Sequence, residues 1–237
     1  MIRIAAFLLA LLLLPIAMNI DGEAINRTEL LTQVDHLVYA TPDLNRGIGE
    51  IEQLTGVRAS PGGQHPGGGT RNALVALGPT SYLEIIGPDP DQPAPKTPRS
   101  FGIDGLKHSR LATWAAKGND LDRLKAQAEL KGVSLTPVSP GSRKRPDGVM
   151  LSWRTTRPVD AVGDGIVPFF IDWGQSPHPS QTAAPGLTLI DLRAEHPDAT
   201  RVQQVLSTLG LDLQVKQGAN PGLVAIIKGP KGTVELR

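Results

Sequence analysis

A pattern that occurs twice, once near each end of the chain, most constrains how this sequence can fold. A strand-like segment, residues 34–40, is followed by a helical stretch and by a hairpin that turns at a Gly-Pro pair. Residues 187–198 are again strand-like, and a helix and a second hairpin with a Gly-Pro turn follow them. Each last strand carries a central glutamate, Glu84 in the first copy and Glu235 in the second. Repetition of this kind predicts a fold assembled from copied βαβββ units.

The same order of strands and helices can be followed through the middle of the chain, which divides it into three units. These units span residues 33–90, 108–174 and 185–237. A proline-rich connector, residues 89–100, joins the first two, and residues 175–184 are predicted as a flexible joint before the third. We therefore predict an α+β fold whose repeated βαβββ units form a concave mixed β-sheet, with the third, βαβ-type unit packed on it.

The first predicted strand is expected to have two alternating faces. One face carries Val34, His36, Val38 and Ala40, and the other carries Asp35, Leu37 and Tyr39. A histidine on an otherwise apolar face is either a packed core residue or a ligand that points into a pocket.

Two further segments are predicted as loops or turns. Residues 60–71 are rich in glycine and include His65, but they lack the GK[ST] ending of a P-loop, and no G-x-G-x-x-G opens a helix there. Residues 142–146, Ser-Arg-Lys-Arg-Pro, are the densest basic cluster of the chain. This cluster is interpreted either as a solvated hairpin tip or as an anion clamp over a substrate pocket.

Composition excludes several classes of protein. The net charge is +1 over 237 residues, and no stripe of Lys and Arg with interleaved aromatics indicates a nucleic-acid surface. The absence of cysteine rules out thiol nucleophiles, disulfides and thiolate metal sites. Any metal must bind His, Asp, Glu or neutral oxygen ligands, which favours hard or borderline divalent ions. No Gly-x-Ser-x-Gly elbow supports a serine hydrolase.

The N-terminal segment predicts export from the cytoplasm. A basic start at Arg3 precedes a nearly unbroken apolar run over residues 4–18, which is as long as a signal-peptide core and short for a membrane span. Residues 1–24 are therefore predicted as a signal peptide that is cleaved after Ala24, or as a membrane anchor. This segment is the only part of the protein that is expected to contact a membrane. The expected location is the cell envelope, the periplasm or the medium. If the start is assigned too far upstream, the expected location is the cytoplasm.

Five segments of the chain resemble the vicinal oxygen chelate superfamily and, within it, the glyoxalase-like proteins. They are residues 35–44, 63–72, 82–86, 143–148 and 167–174, which together span most of the chain after the leader. In the first unit they place a histidine on the first strand, a second histidine in a glycine-rich segment and a glutamate on the last strand. The resemblance implies the glyoxalase, bleomycin-resistance and dioxygenase type of fold, in which two βαβββ units curl around a pocket.

The same resemblance implies a divalent metal ion on the concave face, with Zn²⁺, Mn²⁺, Fe²⁺ and Ni²⁺ as candidates. His36 and Glu84 occupy the metal-ligand positions of the first unit, and His65 is expected as a third ligand or as a general base. The ion would hold two neighbouring oxygens of a small-molecule substrate and stabilise negative charge on them.

The other two units match this ligand pattern less well. The first strand of the second unit has no histidine at the corresponding place, and Asp172 is one residue out of phase, which turns its side chain to the opposite face. In the third unit, Asp191 and Glu235 align with the ligand positions, although Glu235 can also be interpreted as a surface residue of its strand.

Further side chains are expected to bind substrate, and others to lie away from it. The expected substrate-binding residues are Arg71, Asn72, Arg143, Arg145 and Trp153. Three histidines that flank turns, His108, His178 and His196, are expected in solvent. A salt bridge between Glu84 and Arg71 is the alternative to a ligand role for Glu84.

Three functional hypotheses follow from the sequence. The leading one is a metal-dependent lyase, isomerase or dioxygenase in which Glu84 and His65 are catalytic residues. The second is a metal-free protein of the same fold that binds or sequesters a small molecule, and the incomplete ligand pattern of the second unit favours it. The third is a structural envelope protein that forms a homodimer through residues 185–237.

Overall fold

The first unit of the chain folds as one helix and four strands. The computed structural model describes residues 29–160 and 162–237, so the predicted signal peptide lies outside the described residues. The elements are β1 (Val34–Ala40), α1 (Leu44–Thr55), β2 (Ser60–His65), β3 (Thr70–Gly78) and β4 (Ser81–Pro88). Asp43 caps α1 by accepting a hydrogen bond from the N–H of Arg46, and Gly56 ends the helix in the left-handed conformation that glycine adopts readily.

The second and third units follow with one helix and four strands each. The second consists of β5 (Arg110–Lys117), α2 (Leu121–Leu130), β6 (Ser139–Lys144), β7 (Met150–Thr156) and β8 (Phe169–Asp172). The third consists of β9 (Thr188–His196), α3 (Ala199–Thr208), β10 (Val215–Gln217), β11 (Gly222–Gly229) and β12 (Gly232–Leu236). Short 3₁₀ helices lie in the two connections, at Ser100–Gly105 and Pro179–Gln181. No helix within the described ranges has the length and apolar character needed to cross a membrane.

The strands of the first two units form one curved, eight-stranded sheet in the order β2-β3-β4-β1-β5-β8-β7-β6. In each unit the first strand pairs in parallel with the last, and β1 pairs antiparallel with β5 at the centre. The two edge strands almost meet, because a Cβ atom on Gly63 of β2 would lie 2.5 Å from the carbonyl oxygen of Lys144 in β6. A closed sheet of eight strands has an interior that holds side chains or one small ligand. The predicted fold class is confirmed.

A β-bulge in β1 decides which of its side chains share a face. The register between β1 and β5 shifts between Val34 and His36, which leaves Asp35 as the extra residue of the bulge. Its side chain therefore lies beside that of His36 on the concave side, whereas Val34, Leu37 and Tyr39 pack into the main core. The prediction that Asp35 faces away from His36, and that Val34 shares the face of His36, is wrong.

The main hydrophobic core lies on the outer side of this sheet and is common to all three units. Each unit contributes fully buried side chains to it, such as Ile51 of α1, Trp114 of β5, Leu121 of α2, Leu206 of α3 and Ile227 of β11. A shared core of this kind ties the stability of the third unit to that of the first two.

The third unit forms its own four-stranded sheet, and it does not repeat the strand order of the first. Its order is β10-β9-β11-β12, so the first strand is central and the last strand lies at the edge. Glu235 on this edge is exposed and pairs with Arg237 at 2.6 Å, while Asp191 is buried on β9. The alignment of Asp191 and Glu235 with the ligand positions of the first unit is therefore wrong.

The two segments that were predicted as a loop and a turn, residues 60–71 and 142–146, are partly strand. Ser60–His65 pairs antiparallel with β3, and Ser139–Lys144 pairs antiparallel with β7. The glycines of β2 permit close approach, because a Cβ atom on Gly62 would overlap the side-chain oxygen of Asn72. Glycine here therefore indicates a crowded strand and not a loop.

The first connector fills one end of the concave side with apolar side chains. Ile103 and Phe101 of the 3₁₀ helix Ser100–Gly105 pack with Val38 and Ile86 of the sheet. Phe101 adopts a left-handed conformation with φ of 61°, which is unusual for a bulky residue. The opposite end of the concave side is polar, and the candidate site lies there.

Candidate functional site

The polar end of the concave side is centred on the carboxylate of Glu84. Strand β4 places Glu84 beside Val38 of β1 and between Tyr82 and Ile86 on the same face. Glu84 is 7% exposed, and Asn72 Nδ2 donates a hydrogen bond of 2.6 Å to its Oε1. Among the described residues, no lysine or arginine nitrogen lies within 4.0 Å of this carboxylate. A buried carboxylate without a cationic partner is costly, so a positive group next to Glu84 would stabilise the site.

Two imidazole nitrogens face this carboxylate from different strands. His36 Nε2 of β1 lies 3.8 Å from Oε2 of Glu84, and His65 Nε2 of β2 lies 3.7 Å from Oε1. Neither separation is a hydrogen bond. Each imidazole therefore lies near a different oxygen of Glu84 without a hydrogen bond to it.

Asp35 fixes the proton of His36. Its Oδ1 lies 2.7 Å from Nδ1 of His36, so Nδ1 carries a proton, and Nε2 is the nitrogen that faces Glu84. Burial raises the pKa of Asp35, but hydrogen bonds from His178 and His36 outweigh burial and hold this pKa well below its usual value. Asp35 is therefore fully charged at neutral pH.

His65 is held as a neutral imidazole whose Nε2 also faces Glu84. Asn72 Nδ2, which can only donate, lies 3.3 Å from Nε2, while Nδ1 lies 2.9 Å from the hydroxyl of Thr70. Nε2 is thus an acceptor, and the proton lies on Nδ1. Burial lowers the pKa of His65, and the charge of Glu84 opposes this in part. The side chain is 21% exposed, which makes it accessible to a small molecule.

The segment after β8 forms one wall of the site. Trp173 Nε1 donates to both oxygens of Asp35 at 3.2 Å, and His178 Nε2 lies 3.2 Å from Asp35 Oδ2. The N–H of Ser180 donates to Nδ1 of His178 at 3.3 Å, which leaves the proton of His178 on the nitrogen that faces Asp35. The expectation that His178 lies in solvent is wrong, and residues 175–184 are anchored to the site.

This site lies in a region with a recognisable family pattern. The family profile of the glyoxalase-like domain matches residues 34–210, well over half of the chain. The chain belongs to the glyoxalase-like domain family. The resemblance to the vicinal oxygen chelate superfamily that the sequence indicated is thereby confirmed.

One solved structure shares the fold of this glyoxalase-like protein, and others match it less well. A hypothetical protein from Staphylococcus aureus matches with a TM-score of 0.65 at 14% identity, covering 84% of this chain and 92% of that chain. Methylmalonyl-CoA epimerase from Mycobacterium tuberculosis matches with a TM-score of 0.45 at 18% identity, covering 61% of this chain and 90% of its own. A comparison with curated proteins finds no significant match. At 14% identity, the likeness to the Staphylococcus aureus protein shows the fold alone.

The glyoxalase-like fold brings five of the sequence-predicted residues into one chamber. They are His36, His65, Asn72, Glu84 and Arg143. Arg143 belongs to β6 and is only 2% exposed, so its interpretation as part of a solvated hairpin tip is wrong. Its Nη1 donates to the carbonyl oxygen of Gly62 at 2.5 Å, which bridges the gap between the two edge strands.

Arg71 lies outside the immediate surroundings of Glu84. Its Nη1 lies 3.2 Å from Asp91 and 3.7 Å from Asp89, at the start of the proline-rich connector. The salt bridge between Arg71 and Glu84 that was the alternative to a ligand role is therefore wrong. A role of Arg71 in substrate binding stays a prediction.

Arg145 and Trp153 lie at the β6–β7 hairpin. Arg145 pairs with Asp147 in the turn of this hairpin. Trp153 packs against Trp173, with their ring centroids 5.3 Å apart. Trp153 therefore supports the wall that contacts Asp35, and direct substrate binding by Arg145 and Trp153 stays a prediction.

Four residues of the site were not predicted from the sequence as functional: Asp35, Tyr82, Trp173 and His178. Tyr82 stacks on His36 with ring centroids 4.6 Å apart. Burial raises the pKa of Tyr82 well above its usual value, so the phenol stays protonated. The adjacent Asp-His pair in β1 was the one available signal, because an aspartate beside a metal-binding histidine often orients it.

The donor set suits a divalent ion, although the side chains do not enclose one as they stand. Ligand atoms bound to one ion at about 2.0–2.2 Å lie roughly 3.0–3.5 Å apart, slightly less than the 3.7 and 3.8 Å between the imidazoles and Glu84. Among the described residues, no three His, Asp or Glu side chains lie close enough together to hold a metal ion in their present positions. The amide of Asn72 lies between His65 and Glu84, and its Oδ1 is buried without a hydrogen-bond partner.

Proposed function

We propose that this glyoxalase-like protein is a divalent-metal-dependent enzyme that acts on a small molecule with two neighbouring oxygens. His36, Glu84 and His65 are the proposed metal ligands. The observation that supports this most is the convergence of two imidazole nitrogens on one buried carboxylate. Three electron-rich groups that face one another are stable together only with a cation or a proton between them.

The hydrogen bonds behind His36 support the same proposal. A metal-binding histidine usually donates its other ring N–H to a carboxylate, which fixes the tautomer and makes the free nitrogen a better donor. Asp35 supplies that carboxylate to His36, and Trp173 and His178 hold Asp35 in place. A buried histidine that only filled the core would not need a charged partner that itself is anchored by two further side chains.

The side chains of the site also suit a proton-transfer reaction. When bound, a divalent ion stabilises negative charge that develops on two substrate oxygens. His65 can bind the ion through Nε2 or act as a base, but not both at once. If His36 and Glu84 alone hold the ion, His65, which is neutral and partly accessible, can accept a substrate proton at Nε2 and return it. A base of this kind favours isomerase or lyase chemistry over ring cleavage. The fold itself does not select among these reactions.

The alternative function is a metal-free protein that binds or sequesters a small molecule. One contact favours it: Asn72 Nδ2 donates to Glu84 at 2.6 Å and so partly satisfies the carboxylate without an ion. In this alternative, His36, Glu84 and Asn72 are hydrogen-bonding groups for a polar ligand.

Metal analysis separates the two functions. The protein is purified without a histidine tag, dialysed against Zn²⁺, Mn²⁺, Fe²⁺ or Ni²⁺, and its bound metal is measured by mass spectrometry. The variants are His36→Ala, Glu84→Ala and His65→Ala, with His108→Ala as the matched control because His108 is exposed and far from the chamber residues in sequence. Circular dichroism confirms that each variant is folded.

We expect about one ion per chain in the wild type and in His108→Ala, and a clear loss in the other three variants. Equal, substoichiometric metal in all five proteins would refute the metal-dependent enzyme and favour the metal-free binding protein.

A further inference from the structure

Arg143 carries a positive charge that the described part of the protein leaves almost unpaired. The residue is 2% exposed, and the acceptor found for its guanidinium is a single carbonyl oxygen, that of Gly62. A guanidinium has five N–H donors. No carboxylate oxygen of the described residues lies within 4.0 Å of its nitrogens. Buried arginines are almost always paired, so this arrangement lacks a partner.

The guanidinium belongs to the same chamber as the proposed metal ligands. Its Nη1 bonds Gly62, and the side chain of Asn72, which contacts Glu84, packs directly on Gly62. The charge of Arg143 contributes to lowering the pKa of His65, after burial. Burial lowers the pKa of Arg143 itself, and the neighbouring Tyr82 and Glu84 oppose this in part. Arg143 thus lies near the groups at the polar end of the concave side.

A largely buried cation without an ion-pair partner is less favourable than a paired one, and an anionic ligand would supply the missing charge. Removal of a charge from water costs several kcal/mol, and a partner within hydrogen-bonding distance recovers much of it. The planar fork of arginine fits the two oxygens of a carboxylate or a phosphate. A lysine or an amide would not provide the same paired donors.

We infer that Arg143 binds the oxyanion of a carboxylate- or phosphate-bearing small molecule inside the chamber, so that the substrate of this protein is an anion. The identification of that ligand as the substrate rests on the proposed function. The anion site itself rests only on the burial of Arg143, its missing partners and its place in the chamber.

A purely structural role of Arg143 would be to tie the two edge strands together. That tie uses Nη1 and the carbonyl oxygen of Gly62, and it leaves the remaining donors of the fork without a protein acceptor in the described residues. These nitrogens are not among the buried atoms that lack a hydrogen-bond partner, so they retain contact with solvent and are open to a ligand. A structural tie predicts a loss of stability on substitution and no dependence of ligand binding on ligand charge. The two roles therefore differ in a measurable way.

The test uses a pair of ligands that differ only in one group, a charged carboxylate against a neutral amide. Lactate and its uncharged amide, lactamide, each carry two neighbouring oxygens, and inorganic phosphate serves as a third probe. Binding to full-length protein stripped of metal with a chelator is followed by NMR titration. The variants are Arg143→Gln, Arg143→Lys and, as the control, Lys144→Gln, which removes the same charge from the exposed neighbouring residue.

We expect the wild type and Lys144→Gln to bind lactate at least about tenfold more tightly than lactamide, and phosphate detectably. Arg143→Gln should lose this preference, and Arg143→Lys should keep part of it. Equal binding of lactate and lactamide by the wild type would overturn the inference, even if no variant folded. Retention of the preference by folded Arg143→Gln would overturn it too.

The same titration, repeated after Zn²⁺ is added, separates this inference from the proposed function. A metal that binds should tighten the binding of both lactate and lactamide. If Zn²⁺ has no effect while the charge preference persists, the metal-dependent function fails and the anion site stands.

Discussion

Asp35 and His36 are neighbours in sequence, and their side chains nevertheless lie on the same side of β1, with Oδ1 of Asp35 2.7 Å from Nδ1 of His36. Adjacent residues of a regular strand point to opposite faces. The bulge between Val34 and His36 removes this constraint and brings the carboxylate behind the imidazole. A local irregularity of the backbone therefore creates the orienting contact of the proposed metal ligand.

Asp35→Asn should weaken metal binding about 10- to 100-fold, because the substitution removes the charge that orients His36. It should also lower the free energy of unfolding by about 1.5–3 kcal/mol, since Asp35 accepts hydrogen bonds from Trp173 and His178. Metal titration and urea denaturation measure the two effects.

The control for this prediction is Asp191→Asn. Asp191 is also buried and accepts a hydrogen bond from Arg193 at 2.7 Å, but it lies on β9 of the third unit. We expect this variant to lose stability and to retain the metal affinity of the wild type. A similar loss of affinity in both variants would show that the effect of Asp35 is one of general stability.

Leu213→Ala should destabilise the whole protein and not the third unit alone. Leu213 is fully buried in the core that all three units share, and a leucine-to-alanine change in a core costs about 2–5 kcal/mol. All three tryptophans lie in the second unit, so their fluorescence reports unfolding outside the third unit. We expect the fluorescence midpoint in urea to fall in a single transition.

The matched control for this substitution is Leu130→Ala, because Leu130 is 89% exposed at the end of α2. Its midpoint should stay within experimental error of the wild type. If Leu213→Ala left the tryptophan midpoint unchanged, the third unit would be an independently folding domain.

Gly62→Ala should disturb the chamber through Asn72. A Cβ atom at this position would overlap Oδ1 of Asn72, so the amide must move away from Glu84 and give up their hydrogen bond of 2.6 Å. We expect a loss of about 1–3 kcal/mol in the free energy of unfolding, because buried polar groups are then left unpaired. Gly49→Ala in α1, where nothing lies within 4 Å, should instead gain up to about 1 kcal/mol.

Thermal or urea denaturation of both glycine variants tests this contrast. Equal stabilities for Gly62→Ala and Gly49→Ala would mean that Asn72 is not packed on β2 as described.

High pH should weaken the fold before its tyrosines ionise. Burial and then the charge of Glu50 raise the pKa of Tyr39 to about 12, and burial raises the pKa of Tyr82, the only other tyrosine of the chain, well above its usual value. The unfolded chain loses these protons near pH of about 10. Above that pH the unfolded state binds fewer protons than the native state, so the free energy of unfolding should fall as pH rises towards about 12.

Near-ultraviolet absorbance measures tyrosinate directly. The folded protein should show none at a pH of about 10, and guanidinium should release it at the same pH. Substitution of Tyr39 by Phe should remove part of the alkaline loss of stability. Tyrosinate in the folded protein at that pH would contradict the burial of both rings.

Sequence reasoning identified the elements whose signals are local. The alternating strand β1, the capped helix α1 and the β3–β4 hairpin all lie where the sequence predicts them. Hydrophobic periodicity, an N-cap at Asp43 and a C-terminal glycine at Gly56 determine such elements with little help from the rest of the chain.

The two missed strands, β2 and β6, are determined by contacts distant in sequence. Their glycines and prolines indicate a loop in isolation, but the strands pair with β3 and β7, and the bond from Arg143 to Gly62 brings their edges together. The same holds for His178, which reaches Asp35 across 143 positions of the sequence. Local propensity carries no information about such a contact.

The candidate site was predicted in part for the same reason. His36, Glu84 and His65 could be selected because histidine and glutamate in apolar or glycine-rich surroundings are unusual. The role of Asp35 was missed, although an Asp-His pair stands in the sequence, because a bulge has no reliable sequence signal and a regular strand places Asp35 on the other face.

Anomalous diffraction from crystals grown with Zn²⁺ tests the central claim most directly. We expect one strong zinc peak between Nε2 of His36, Nε2 of His65 and the carboxylate of Glu84. This peak should be lost in crystals of Glu84→Ala. Well-ordered crystals with all three side chains in density and no zinc peak among them would contradict it.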